Sequence, residues 1–251
     1  MGDVTMNYFG KTDQGKCRSN NEDAFVIQPL WDENHVLAIA IDGVGGCNSG
    51  EVAAAIAQEK IPEFLNEFHE GNPLENLRNA VIQADSYISS YGSGNMCCVL
   101  TAAIIDKQVR KIYIVHVGDT RLYQFSNGEL VKLTKDDSIV GPLEESGELT
   151  EKEAMQHPHR NIITKSVGHS NLSREPETVF AKELEFDVPT KFLLCSDGLY
   201  DMITSRKMAA ILSKSGKVET KVNGLIQAAN KAGGRDNITV VLVELDEELK
   251  I

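Results

Sequence analysis

Lys111-Ile112-Tyr113-Ile114-Val115-His116-Val117 runs through Gly118-Asp119-Thr120 into Arg121-Leu122-Tyr123-Gln124-Phe125, and Asn127-Gly128 then turns the chain into Leu130-Val131-Lys132-Leu133. An Asn-Gly pair between two apolar segments is a hairpin signal, because both residues accept the positive φ of a tight two-residue turn. Such a hairpin joins antiparallel strands, whereas parallel neighbours need a crossover of a dozen residues or more. Outward from it, further strand-length apolar runs lie at Ala24–Leu30, Val36–Ile41, Val99–Ile105, Ile112–Val117, Phe192–Cys195 and Ile238–Val243. Two helical stretches adjoin at about Ser49–Glu70 and Pro73–Tyr91. In the first, Val52, Ala55, Ile56, Ile61 and Leu65 recur near the helical period, and Ser49 stands where an N-cap is needed. A second helical pair, Ser205–Ser213 and Lys217–Ala232, stops at Gly233-Gly234. Strands in groups and helices in pairs do not follow a βαβ rhythm, so the class is α+β. Between Leu133 and Pro176 the pattern turns polar, an excursion too long for a simple loop and therefore read as functional.

The chain has 251 residues, a size that buries about 70–75% of its unfolded surface without disulfide or metal staples. No linker or repeat divides it, so one domain is expected. Its 25 Lys+Arg against 37 Asp+Glu give a formal charge of -12, which argues against nucleic acid or an anionic membrane as the main partner. The longest apolar run, Val36–Ile41, is strand-sized and does not span a bilayer. Met1-Gly2-Asp3-Val4-Thr5 shows no secretory signal. Five cysteines (Cys17, Cys47, Cys97, Cys98, Cys195) without a Cys-x-x-Cys pair suit a reducing compartment, so a cytoplasmic protein is expected.

Acids recur where buried strands meet the surface. Leu37–Ile41 runs into Asp42-Gly43, Ile114–Gly118 into Asp119, and Phe192–Ser196 into Asp197-Gly198, while Arg235-Asp236-Asn237 opens the strand from Ile238. Asn20-Asn21-Glu22-Asp23 introduces another strand with two more acids. Any single Asp-Gly is ordinary turn punctuation. Several acids at strand ends that converge would repel one another, and a hard divalent cation relieves that repulsion. An all-oxygen donor set selects magnesium, manganese or calcium over zinc, and two such ions side by side suit phosphate ester hydrolysis. The spacing lacks the ligand loop of a calcium-binding helix-loop-helix.

Thr12-Asp13-Gln14-Gly15-Lys16-Cys17-Arg18-Ser19-Asn20-Asn21-Glu22-Asp23 resembles the opening motif of the metal-dependent Ser/Thr protein phosphatases of the 2C type. The resemblance continues in order through Asp42-Gly43-Val44-Gly45-Gly46, Val117-Gly118-Asp119-Thr120-Arg121, Ser196-Asp197-Gly198-Leu199 and Arg235-Asp236-Asn237-Ile238-Thr239-Val240, nearly the whole chain, and is to the compact bacterial members. It implies a four-layer sandwich of two antiparallel sheets flanked by helix pairs, forming a single catalytic domain over residues 1–251 with a flap at about 134–176, to which His157-Pro158 and Arg160-Asn161 belong. It implies two Mn²⁺ or Mg²⁺ ions per site: Asp42 bridging both, Gly43 contributing its carbonyl, Asp197 and Asp236 on the first, Glu22 and Asp23 on the second directly or through water. Asp119, with Asp197, would hold a weaker third ion. Arg18 would grip the substrate phosphate, and Arg18, Asp42, Asp197 and Asp236 form the expected catalytic set. The expected reaction is hydrolysis of phosphoserine and phosphothreonine in proteins by a metal-activated water, opposing a Ser/Thr kinase, by a monomer.

Two positions depart from the family pattern. Val44 stands where eukaryotic members carry a histidine proposed as general acid, which leaves the proton donor unassigned; a water on the metal is the first candidate, and His157 and His159 are weaker ones. Met96-Cys97-Cys98-Val99 replaces Met-Gly-Thr-Thr, and the two cysteines read as core filling. Rival chemistries fail on the residues. No cysteine has Arg six positions on, as a cysteine-nucleophile phosphatase requires, and no Gly-x-Ser-x-Gly elbow exists. Gly43-Val44-Gly45-Gly46 lacks the spacing of a dinucleotide loop. The alternative from another class is a pseudophosphatase, the same fold acting as a binding or regulatory module. The presence of Asp42, Asp197 and Asp236 favours the enzyme.

Overall fold

The computed structural model describes residues 3–44, 49–91, 96–169 and 172–247. The run Leu37-Ala38-Ile39-Ala40-Ile41 shows why the layers form. Alternate side chains of a strand point to opposite faces. Here Leu37, Ile39 and Ile41 pack with one apolar cluster and Ala38 and Ala40 with another, all 0% exposed. A strand that is apolar on both faces must be covered on both. One cover is a helical layer, α1 (Gly50–Glu67) and α2 (Pro73–Ser90); the other is a second sheet.

The sheet carrying this run orders β2 (Ala24–Leu30), β3 (Asp32–Gly43), β4 (Cys98–Asp106), β5 (Lys111–Val117) and β8 (Phe180–Glu185). Its partner orders β1 (Val4–Asp13), β10 (Ile238–Glu247), β9 (Thr190–Cys195), β6 (Arg121–Ser126) and β7 (Glu129–Lys132). All pairings are antiparallel. Leu122, Phe192, Leu194, Val241 and Val243 fill the space between the sheets against Ala103, Ile112 and Ile114. Leu193, Val240 and Leu242 face outward onto α5 (Asp197–Tyr200), α6 (Ser205–Leu212) and α7 (Val218–Ala232). The result is the expected helix–sheet–sheet–helix sandwich.

The Asn127-Gly128 hairpin forms as read, pairing Ser126 with Glu129 and Tyr123 with Lys132. The segment before it does something the apolar pattern does not disclose. β5 and β6 are consecutive, yet they lie in different sheets. The chain crosses at Gly118, whose φ is +103 and where a Cβ would lie 2.1 Å from Val99 Cγ1. Only glycine tolerates both.

Two edge strands escape the sequence reading. β1 has polar residues scattered along it and is mostly half-buried, while Phe180-Ala181-Lys182-Glu183-Leu184-Glu185, too charged to stand out as an apolar run, pairs with β5. In α1 the buried face is Ala53, Ala54, Ala57, Ile61 and Leu65; Ala55 is exposed and Val52 and Ile56 are half-buried, so the expected stripe is rotated. Ser49 does not cap that helix through its side chain. It sits in the left-handed region at φ 66 instead of the extended backbone a capping side chain needs, and it accepts no helix N–H through its hydroxyl. Asn72 does cap α2, accepting from Leu74 and Glu75 N–H. Cys97 and Cys98 are both buried in the core as expected, and Cys97 is in addition half of a disulfide, which the sequence reading did not expect.

Between β7 and β8 the excursion contains two short helices, α3 (Gly141–Glu145) and α4 (Glu151–Ala154). It is anchored by a buried arginine: Arg121 reaches Asp136 and Glu144, both at 2.6 Å, and stacks on the Tyr200 ring at 3.8 Å. Among the described residues no helix is long and apolar enough to cross a membrane.

Candidate metal centre

The strand ends meet at one end of the sandwich. Asp42 terminates β3, Asp119 follows the crossing from β5, Asp197 opens α5 directly after β9, and Asp236 sits two residues before β10. With Arg18, Glu22 and Gly43 they line one pocket of ≈ 190 Å³, completed by Val44, Val99, Asn161, Ile163 and Asn237. Every expected site residue except Asp23 therefore faces that pocket. Asp23 lies beside it, where its carboxylate accepts the Ser196 hydroxyl at 2.8 Å.

The backbones that deliver these acids are held together by groups whose role the motifs do not spell out. Asn237 is buried and satisfies three partners at once. Its amide donates to the carbonyls of Gln14 (3.0 Å) and Asn20 (2.8 Å), and its Oδ1 accepts the Glu22 N–H (2.9 Å). That clasp ties the segment carrying Arg18 and Glu22 to the residue beside Asp236. Gly198 lets the two acid turns abut, since a Cβ there would lie 1.9 Å from the Asn237 carbonyl oxygen. Ser196 bonds across to Thr239, whose N–H it accepts at 2.9 Å. Gly43 N–H donates to the Glu22 carbonyl at 3.2 Å, joining the other sheet to the same clasp. Asn237 and Gly198 both lie inside quoted motifs, so their presence was visible; their function was not, because it depends on which loops become neighbours.

Electrostatically the pocket is one-sided. Arg18, half exposed, is its one lining cation among the described residues and pairs with Asp236 at 2.7 Å. Asp197 Oδ1 is buried with no hydrogen-bond partner. Burial, followed by the charges of the other acids, pushes the Asp42 and Asp197 carboxyls well above the usual carboxylate range. Burial also raises Asp23 to about 7, with Asp236 adding to it and the Ser196 and Thr239 hydrogen bonds opposing. Asp119 rises to about 7 through burial and the nearby Asp136, against the pull of Arg121. Such a cluster must either hold protons or bind cations. An orphaned buried carboxylate oxygen and an all-oxygen lining fit a hard divalent ion. Among the described residues no group of three or more of these donors is drawn together closely enough to hold an ion by itself.

The excursion contributes to the pocket Asn161, which the sequence reading placed in the flap, and Ile163, which it did not single out. Arg160 holds this part against the body through Asp201 at 2.9 Å, and the Gly118 N–H donates to Asp137 at 3.1 Å. His157 and His159 lie outside the pocket lining, with their rings 5.6 Å apart and the His159 N–H on His157 Nδ1. Gly45 and Gly46 of the second motif, and Cys47, lie outside the described residues.

A family model described as Protein phosphatase 2C matches residues 16–231. The chain is 34% identical to the Serine/threonine phosphatase stp of Listeria welshimeri, covering 93% of this chain and 94% of that protein. The S. agalactiae serine/threonine phosphatase is similar in structure, with a TM-score of 0.83 and 30% identity over 96% of this chain and 99% of that one. The catalytic domain of PstP, solved with two manganese ions, matches with a TM-score of 0.81 and 28% identity over 97% and 100% of the two chains.

Two outcomes follow from the geometry. Asn237→Ala leaves two carbonyls and one N–H without their partner, so stability falls by about 2–4 kcal/mol; Asn237→Asp, which sets a buried carboxylate against those two carbonyls beside the acid cluster, should recover none of it in urea melts. The second concerns pH. Asp23 and Asp119 hold protons up to about pH 7 in the fold, but in the unfolded chain only up to about pH 4. Below that window their protonation stabilises the metal-free fold, and above it the repulsion returns. The rise in Tm on adding Mn²⁺ should therefore grow between pH 5 and 7.5 and then level off; a gain independent of pH over that range would contradict the proton-linked cluster.

Proposed function

The chain belongs to the protein phosphatase 2C family, the metal-dependent protein Ser/Thr phosphatases, and from that membership we propose how its own residues carry the reaction. It hydrolyses phosphoserine and phosphothreonine in proteins, and its cofactor site takes two divalent ions, with manganese supported by the PstP relative. Asp42 and the Gly43 carbonyl would hold the pair, with Asp197 and Asp236 serving one ion and Glu22 and Asp23, directly or through water, the other. When bound, the ions acidify water and neutralise the phosphoryl oxygens.

The remaining work falls to the protein. Arg18 stands at the pocket edge, with its guanidinium on Asp236 and its side chain half exposed. A planar fork of this kind can exchange a carboxylate for two phosphoryl oxygens. The exchange sets an order of events: a phosphate dianion is repelled by the bare acids, so cations enter before substrate. Asn237 keeps Arg18 and Glu22 in register with Asp236 throughout. The proton for the departing serine or threonine oxygen comes from pocket water, because no imidazole or ammonium lines the pocket among the described residues. Asn161 and Ile163 form the wall on which the polypeptide flanking the phosphate rests, the flap of the single catalytic domain. Asp119, with Asp197, suits a weaker third ion, and Mg²⁺ would serve in place of Mn²⁺. A cytoplasmic monomer opposing a Ser/Thr kinase is the setting that fits the sequence.

The observation that carries this reading is the convergence of acids from four separate strand ends on one pocket with a single arginine. A phosphothreonine peptide and para-nitrophenyl phosphate, each assayed with and without Mn²⁺, test it. Asp42→Asn and Asp197→Asn should lower kcat/KM by about a hundredfold or more and weaken Mn²⁺ binding, with circular dichroism unchanged. Wild-type protein that binds Mn²⁺ without turnover would make it a binding module instead. Arg18→Ala should raise KM for the phosphopeptide about tenfold while leaving Mn²⁺ affinity intact or improved, since Asp236 is freed. An unchanged KM and kcat would remove Arg18 from substrate binding.

A further inference from the structure

The acidic total hides a local inversion. From Met202 to Arg235, seven Lys and Arg side chains stand against one acid, Glu219, in a chain of formal charge -12, so the rest of the protein is more acidic than the total. Lys207, Lys214, Lys221 and Lys231 line a groove of ≈ 660 Å³ along α6 and α7, with Ile211 and Ala228 among its walls and no carboxylate in its lining. Glu219 lines a neighbouring groove instead, with Glu244 and Asp246 against β1. Lys221 is already committed to Glu244 (2.9 Å) and the Gly216 carbonyl (2.8 Å). Lys207, Lys214 and Lys231 are exposed and form no ion pair among the described residues.

One end of the groove, at Lys231, lies near the active pocket. α7 ends at Gly233, and the next carbonyl, that of Gly234, accepts the N–H groups of Lys16 (2.7 Å) and Cys17 (3.2 Å). The segment bearing Arg18 thus lies on the helix end, with Arg235 exposed beside it. Lys231 is five residues from Asp236, at most about 18 Å even for extended chain. A polypeptide whose phosphate sits at Arg18 can therefore reach Lys231 with about six of its own residues. Like charges gathered on an otherwise acidic protein steer and hold an anionic partner, and the substrate chain is a partner long enough to reach this face.

We propose that the α6–α7 groove is a docking surface for an acidic segment of the phosphoprotein substrate, so that the enzyme favours phosphosites with a run of Asp, Glu or further phosphates about six residues or more away. The proposal rests on the phosphatase reading above. The test uses phosphothreonine peptides with one fixed core and either an acidic or a neutral glutamine tract, placed on either side through a Gly/Ser linker of about eight residues. Wild-type enzyme should show a KM about tenfold lower for one acidic-tract peptide than for its neutral counterpart at low ionic strength, with the advantage fading in 0.5 M NaCl (roughly a 4 Å screening length). K207Q/K214Q/K231Q should abolish the preference and leave para-nitrophenyl phosphate hydrolysis within about twofold of wild type. Equal KM values for acidic and neutral peptides in both placements would overturn the proposal, as would a preference that survives in the triple variant. So would triple-variant-sensitive binding of an RNA oligonucleotide or anionic vesicles without any peptide discrimination. Absent para-nitrophenyl phosphate hydrolysis by the wild type would instead overturn the phosphatase reading itself.

Discussion

Mutual repulsion among carboxylates held in a space of ≈ 190 Å³ is the constraint around which this fold is arranged. Left to themselves, these acids would move apart or take up protons, as the raised pKa values of the buried Asp42, Asp119 and Asp197 indicate. They stay together because each is attached to an element that cannot move independently. Asp42, Asp197 and Asp236 follow or precede strands whose side chains are fully buried between sheet and helix, and Asp119 sits at the crossing between the sheets. The two-sheet sandwich turns apolar burial into a rigid frame for a polar, self-repelling site.

The local joints matter as much as the layers. Gly198 brings the Asp197 turn against Asn237, and Asn237 ties the loop of Arg18 and Glu22 to the same point. Neither contact is worth more than a few kcal/mol, yet together they set the spacing of donors that come from opposite ends of the chain. Arg18 has two roles in this account. Before the cations arrive it offsets part of the negative charge on Asp236, and afterwards it becomes the grip for the phosphate.

Much of this was legible in the residues. The Asn127-Gly128 turn indicated antiparallel pairing, the apolar run to Ile41 marked a buried strand, and the acids at strand ends pointed to divalent ions. What escaped was non-local. β8 carries three charges in six residues because it is an edge strand, and its pairing with β5 follows only after the long excursion. The switch of sheet at Gly118 depends on a contact with Val99, nineteen residues earlier and on another strand. Ser49 had the chemistry of a cap but not the backbone angle for it. Asn237 was in plain view within its motif, but its partners, Gln14, Asn20 and Glu22, lie more than two hundred residues away.

The central claim is that acids from separate strands share a pair of ions in one pocket. Anomalous diffraction at the manganese edge, on crystals grown with Mn²⁺, tests it most directly. The account expects two adjacent peaks in the pocket, both in contact with Asp42 and one also with Asp197 and Asp236. Peaks elsewhere on the molecule, or an empty pocket in crystals of protein that remains active in Mn²⁺, would contradict it.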